Sequence, residues 1–167
     1  MSISMYSAFI PVAIRNLNAL SAILGKAAAH CEARKIDPAA FLSARLFPDM
    51  FPLTRQVQIA ADMTKGGAAR LAGIDIPKYE DNETTFSELQ ARLDKTVAFL
   101  KTIQPAQIDG KEDTDIVITL PSRTLEFKGQ AYLTGFVLPN MYFHSTTAYD
   151  LLRHGGVELS KQDFLAG

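Results

Sequence analysis

A chain of 167 residues fits one domain and buries about 70% of its unfolded surface on folding, so neither a metal nor a disulfide is needed to hold it together. Hydrophobic residues at 47% and charged residues at 21% are globular proportions, not those of a disordered or fibrous chain. With 17 basic and 18 acidic residues the formal net charge is −1, which gives no electrostatic footprint for nucleic acid or an anionic membrane.

Cys31 is the single cysteine, so no intrachain disulfide forms and a reducing compartment is expected. The N-terminus is apolar from Met5 to Leu24, but Arg15, Asn16 and Asn18 interrupt it and Lys26 follows. No basic segment precedes it and no run of about 18 uncharged apolar residues exists. A cytoplasmic protein without a membrane partner is the expectation.

Tyr6, Ile10, Ala13, Leu17, Leu20, Leu24, Ala27 and Cys31 follow one another at alternating spacings of four and three. This is one face of a long helix, and Phe9, Val12, Ala19 and Ile23 widen it to a second side. Pro11 is expected to kink this helix or to start its regular part. Asp37-Pro38 caps a short helix, with Asp as N-cap and Pro in the first turn. Phe47 to Pro52 is a proline-bracketed loop whose two aromatics are expected to pin it to the core.

A second long helix is predicted from Leu53 to Ala72, with Leu53, Val57, Ala60, Thr64, Ala68 and Leu71 on its buried stripe. Gly66-Gly67 in its middle cost about 1 kcal/mol each relative to alanine, which a tight helix crossing would explain. Gly73 is its C-terminal stop, and residues 74–82 read as a loop. Thr85-Phe-Ser-Glu88 is a capping box opening a third helix with Phe86, Leu89, Leu93, Val97 and Leu100 inside; Pro105 marks its end. From Asp115 to Lys128 apolar residues alternate around Pro121-Ser122, predicting a two-stranded hairpin that must rest on the helices or on a second copy. A fourth long helix runs from Gly129 to His154. Leu133, Phe136, Val137, Asn140, Phe143, His144, Thr147 and Leu151 form its inner face; Leu138, Tyr142, Tyr149 and Leu152 form a second strip. Pro139 is expected to bend or delay it. The tail beyond Gly156 is expected to dock through Phe164 and Leu165.

The prediction is therefore an all-α four-helix bundle over residues 1–167 with one inserted hairpin. Apolar surface beyond the needs of one core suggests a homodimer.

His144 is the residue around which a site would form. It is read as a core histidine bonded to Asn140, Thr147 or a residue across the bundle, as a metal ligand, or as a general base or ligand anchor. His154 suits a helix C-terminus, and His30 reads as a partly exposed structural residue. Arg55, Gln58, Asp62 and Lys65 form either a solvated helix face of i,i+3 and i,i+4 pairs or, with Gln58 and Asp62 turned to His144, an Asp–His pair. Cys31 reads as an inert buried thiol.

Pro139-Asn140-Met-Tyr-Phe-His144-Ser-Thr-Thr-Ala-Tyr149, Leu159 to Phe164 and Met50 to Asp62 resemble the DinB-like (YfiT-like) metalloenzyme superfamily. They are closest to a branch known as a bacterial and fungal domain of unknown function. The resemblance implies an up-down-down-up bundle, commonly dimeric. It also implies a divalent metal (zinc, nickel or iron) held by three histidines: a His-x-x-x-His pair in the last helix and one from the second. Here the pair reads Asn140-x-x-x-His144, and the second helix offers Gln58 or Asp62. Two of three ligands are replaced, and function resides in the site, not in the fold. The expected function is binding of an unidentified small molecule in a pocket of Gln58, Asp62, Asn140, His144 and Tyr149. The alternatives are a metal-dependent hydrolase or thiol transferase with His144 as ligand, and a structural dimerisation module.

Overall fold

In the computed structural model, which describes residues 3–120 and 122–166, the long helices are α1 (Met5–Arg34), α3 (Leu53–Ala72), α4 (Phe86–Thr102) and α7 (Leu138–His154). Shorter helices are α2 (Pro38–Leu42), α5 (Pro105–Ile108), α6 (Gly129–Tyr132) and α8 (Lys161–Leu165). Strands β1 (Asp115–Leu120) and β2 (Arg123–Lys128) form the antiparallel hairpin, with Ile116 opposite Phe127 and Ile118 opposite Leu125. Pro121, predicted at its turn, lies outside the described residues.

The predicted apolar faces of α1, α3 and α4 are buried, with only Tyr6 and Val12 left partly exposed. The Met5–Arg34 segment has the length and mean hydropathy, 1.4, of a membrane span, and half of its apolar window is covered by the rest of the fold. Pro11 sits inside α1 on an exposed position, and α1 runs through it from Met5 to Arg34. The capping box opens α4 as predicted, with Thr85 Oγ1 accepting from Glu88 N–H and Glu88 accepting from Thr85 N–H.

Cross-helix contacts fix the directions. Gln56 faces His144 and Gly67 faces Val137, so α3 and α7 are antiparallel. Asn16 bonds Ser145, while Phe9 and Val137 meet at Gly67, so α1 and α7 run together. Asp81 reaches Arg55 and Glu83 reaches Gln58, so the chain after α3 travels back to its start and α4 runs parallel to α3. The bundle is up-down-down-up.

Three expectations are corrected. Phe47 and Phe51 are 64% and 53% exposed and do not pin their loop. Backbone-directed bonds hold it instead: Leu53 N–H to Ala44 O, Thr54 Oγ1 to Leu42 O and Gln56 Nε2 to Phe51 O. The inner face of the last helix holds at Leu133, Val137, His144, Thr147 and Leu151, which are buried, but not at Asn140 and Phe143. A π-helical turn at Leu133–Val137, with Leu138 N–H bonding Leu133 O, precedes Pro139. It inserts one residue relative to α-helical phase, so the buried face beyond it takes in Met141, Ser145 and Ala148 beside His144, Thr147 and Leu151. Asn140 sits at the edge and Phe143 is 57% exposed. The hairpin rests on the helices: Phe127 packs against Tyr132 and Phe136, ring centroids 5.7 and 5.4 Å apart. In the tail, Phe164 docks edge-on to Tyr149, but Leu165 remains 57% exposed.

Gly67 is the close crossing predicted for α3. A Cβ there would stand 2.7 Å from Val137 Cγ1 and 3.1 Å from Phe9 Cζ. G67A is therefore expected to lower stability by about 1–3 kcal/mol through overpacking, whereas alanine at a helical glycine in open space would raise it; urea unfolding followed by circular dichroism measures the sign.

Candidate functional site

His144 projects from α7 toward α3. Gln56 Nε2 donates to Phe51 O at 3.1 Å, which turns Gln56 Oε1 toward the imidazole. Nδ1 lies 2.6 Å from that oxygen. A carboxamide oxygen only accepts, so Nδ1 carries the proton. In the neutral ring the lone pair then sits on Nε2. Among the described residues Nε2 has no hydrogen-bond partner, and it is not one of the sealed polar atoms. Burial first, then the Arg55 guanidinium, hold the imidazole below its ordinary range. The ring is therefore a neutral acceptor at neutral pH, 9% exposed, with its Nε2 unbonded among the described residues. Phe143 stands edge-on to it at 5.2 Å.

The other predicted pocket residues do not converge on this ring. Asn140, one turn earlier, folds its amide back to Phe136 O at 2.7 Å and satisfies a carbonyl of the π turn. Tyr149 packs on Phe164. Gln58 and Asp62 belong to a different cluster, so the Asp–His pair is replaced by Gln56–His144.

That cluster is built around Arg92 of α4, 3% exposed. Its Nη1 donates to Glu80 O at 3.0 Å and Glu83 at 2.8 Å; its Nη2 donates to Asp62 and Asp81, both at 2.9 Å. Nε, the fifth donor, is buried without a partner among the described residues. Gln58 Nε2 donates to Glu83 at 2.8 Å, Lys65 pairs with Asp62 at 2.9 Å, and Arg55 bonds Gln58 and Asp81. Tyr79 lies under Lys65 Nζ at 3.7 Å and Lys95 Nζ at 4.2 Å from its ring centroid. The predicted i,i+3 pairs Arg55–Gln58 and Asp62–Lys65 form, but residues 79–83 cover this face of α3 and Lys65 is only 5% exposed. Both Arg92 and Gln56 were legible as inward positions: Arg92 follows Leu89 by three and precedes Thr96 by four, and Gln56 stands likewise between Leu53 and Ala60. Nothing in the sequence marks Asp81 or Glu83 as partners.

Elsewhere, burial and the nearby Asp37 push the Cys31 thiol up, so it is not an activated nucleophile. His30 packs edge-on to Phe41 at 5.8 Å, and His154 lies exposed in the last turn of α7.

The three positions around the superfamily's metal would be His144, Asn140 and a residue of α3. Here Gln56 faces the imidazole, giving one histidine and two neutral carboxamides, each amide already engaged. This donor set does not suit zinc, nickel or iron, which take imidazole, thiolate or carboxylate. Among the described residues no group of three His, Cys, Asp or Glu converges on one point.

Removing Arg92 leaves Asp62, Asp81 and Glu83 with Lys65, Arg55 and Gln58 as their remaining partners. R92M is expected to lose about 1–3 kcal/mol, less than the cost of breaking a fully buried ion pair on one side, because Asp62 and Asp81 are partly solvated. Burial raises the Asp81 and Glu83 carboxyls, but the bonds from Arg55, Arg92 and Gln58 outweigh it and hold both below the ordinary range. Their contribution is fully present above the unfolded carboxyl range, near pH 4, and is lost as pH falls through the lower folded values. Urea midpoints measured from pH 7 to pH 3 should fall steeply at the acid end in the wild type and less steeply in R92M.

Compared with known proteins, the chain matches the family described as "Domain of unknown function (DUF1993)" over residues 5–165. It is similar to the crystal structure of a DinB family member protein from Shewanella denitrificans, with 39% identity, 98% of this chain and 92% of that chain covered, and a TM-score of 0.89. None of the curated proteins matches it. The chain belongs to the DUF1993 family, on a DinB-like bundle.

Proposed function

We propose that this protein binds a small molecule at His144, with the neutral imidazole accepting a hydrogen bond at Nε2 from a hydroxyl, thiol or amide of the ligand. The observation that carries this reading is the fixed tautomer: Gln56 occupies Nδ1 and leaves Nε2 unbonded. The Gln56 bond is the cross-bundle partner expected of a core histidine; the unbonded Nε2 is what favours a ligand in addition. Phe143, edge-on to the ring and 57% exposed, offers an apolar wall for the rest of the ligand. A nitrogen so placed has the form of a general base, but no nucleophile stands beside it among the described residues, so binding is the better-supported reading.

The metal-dependent alternative competes for the same nitrogen. Protein purified without a histidine tag is expected to contain substoichiometric zinc, nickel and iron by elemental analysis; a stoichiometric metal lost in H144A would replace the binding reading with the hydrolase or transferase one. Nitrogen-15 spectra of the imidazole should show the Nδ1–H tautomer titrating below the ordinary histidine range, with the neutral form lost only as pH falls. In Q56L the tautomer should shift toward Nε2–H; an unchanged tautomer would remove the basis of the proposal. Homodimer formation draws support from Phe47, Phe51 and Phe143, which leave apolar surface open. Sedimentation across a concentration series tests it, a monomer at all concentrations removing it.

A further inference from the structure

A recess of about 210 Å³ lies between α2 and the end of α7. Its floor is Phe41 and Leu151, 7% and 4% exposed. One wall is Ala40, in α2, and Ala44, just past its end. Its rim carries Arg45 and His154, and no acidic side chain lines it. Small residues keep the space open where larger ones would fill it. The walls are held in register at Gly155, where a Cβ would overlap the Phe41 ring. The position is seven residues from His144 along α7, about 10 Å, so it is a separate site.

We infer that this recess binds a small monocarboxylic acid with an apolar body, aromatic or branched aliphatic. The recess is open to solvent along its rim, where Ala40, Arg45, His154 and Gly155 are exposed; a ring that fills about 150 Å³ in an enclosed apolar cavity can lie with one face on Phe41 and Leu151 and its edge at the mouth. The rim sets the charge. Arg45 bonds the Met50 carbonyl through Nη1 and makes no ion pair among the described residues, leaving an uncompensated cation with donors on its other nitrogens. The C-terminal carbonyls of α7 oppose an anion with the equivalent of about half a charge; a full guanidinium charge exceeds that, and His154 adds a ring N–H. A neutral body of the same shape gains the apolar floor but not the rim.

The test uses the whole wild-type protein at neutral pH with benzoate, and benzamide as its neutral isostere. In proton–nitrogen correlation spectra, benzoate should give saturable shifts confined to Ala40, Ala44 and Leu151 and their neighbours, with benzamide weaker by about tenfold, the equivalent of one charge-assisted bond. R45M should weaken benzoate similarly and leave benzamide unchanged, and A44F, which fills the recess, should abolish both. Shifts that do not saturate, that fall elsewhere, or that are equal for benzoate and benzamide would overturn the inference. The comparison of the two ligands on the wild type needs no variant to fold.

Discussion

The parallel course of α3 and α4 depends on one buried guanidinium. Two parallel helices in sequence require the intervening chain to run the full length back, and residues 73–85 do so as an extended segment. Such a segment has little apolar surface with which to stay down. Arg92 holds it through Glu80 O, Asp81 and Glu83, while its fourth bond reaches Asp62 on the neighbouring helix. Arginine suits this place because its planar fork carries five donors and a charge that is never lost. Buried ion pairs contribute little net stability compared with apolar packing, but leaving one member alone is costly. The network therefore acts mainly to specify which way the crossover lies.

That constraint also decides which polar residues are free. Gln58 and Asp62 sit on the helix face nearest the crossover and are taken up by Glu83, Arg92 and Lys65. Gln56, two residues before Gln58 and about 200° around the helix, faces α7 instead and meets His144. The π turn before Pro139 completes the arrangement. Proline has no N–H to give to Gly135 O, and widening the turn accommodates that loss. The extra residue turns Asn140 to the edge of the core and leaves His144 within it.

One imidazole points into this bundle, and its Nδ1 is bonded to an amide. The backbone is shared, at a TM-score of 0.89 with a DinB family member, but the chemistry is set by which atoms present lone pairs. A carboxamide facing the ring fixes a tautomer and leaves an acceptor, where a second imidazole would have offered a second ligand nitrogen.

The sequence by itself determined the number of long helices, their apolar faces through α1, α3 and α4, the capping box at Thr85, the hairpin and the close approach at Gly67. All of these rest on local periodicity or on a single backbone requirement, which a linear chain displays directly. The sequence also singled out His144 as the inward imidazole. What it met across the bundle was decided only by tertiary structure. Helical phase is cumulative, so one added residue in the π turn moved Phe143 out and Asn140 to the rim, and no pattern of residue types announces that addition. Likewise Asp81 and Glu83 are ordinary loop acids until the direction of the crossover brings them to Arg92, because the partner of a charge is fixed by distance in space and not by separation along the chain.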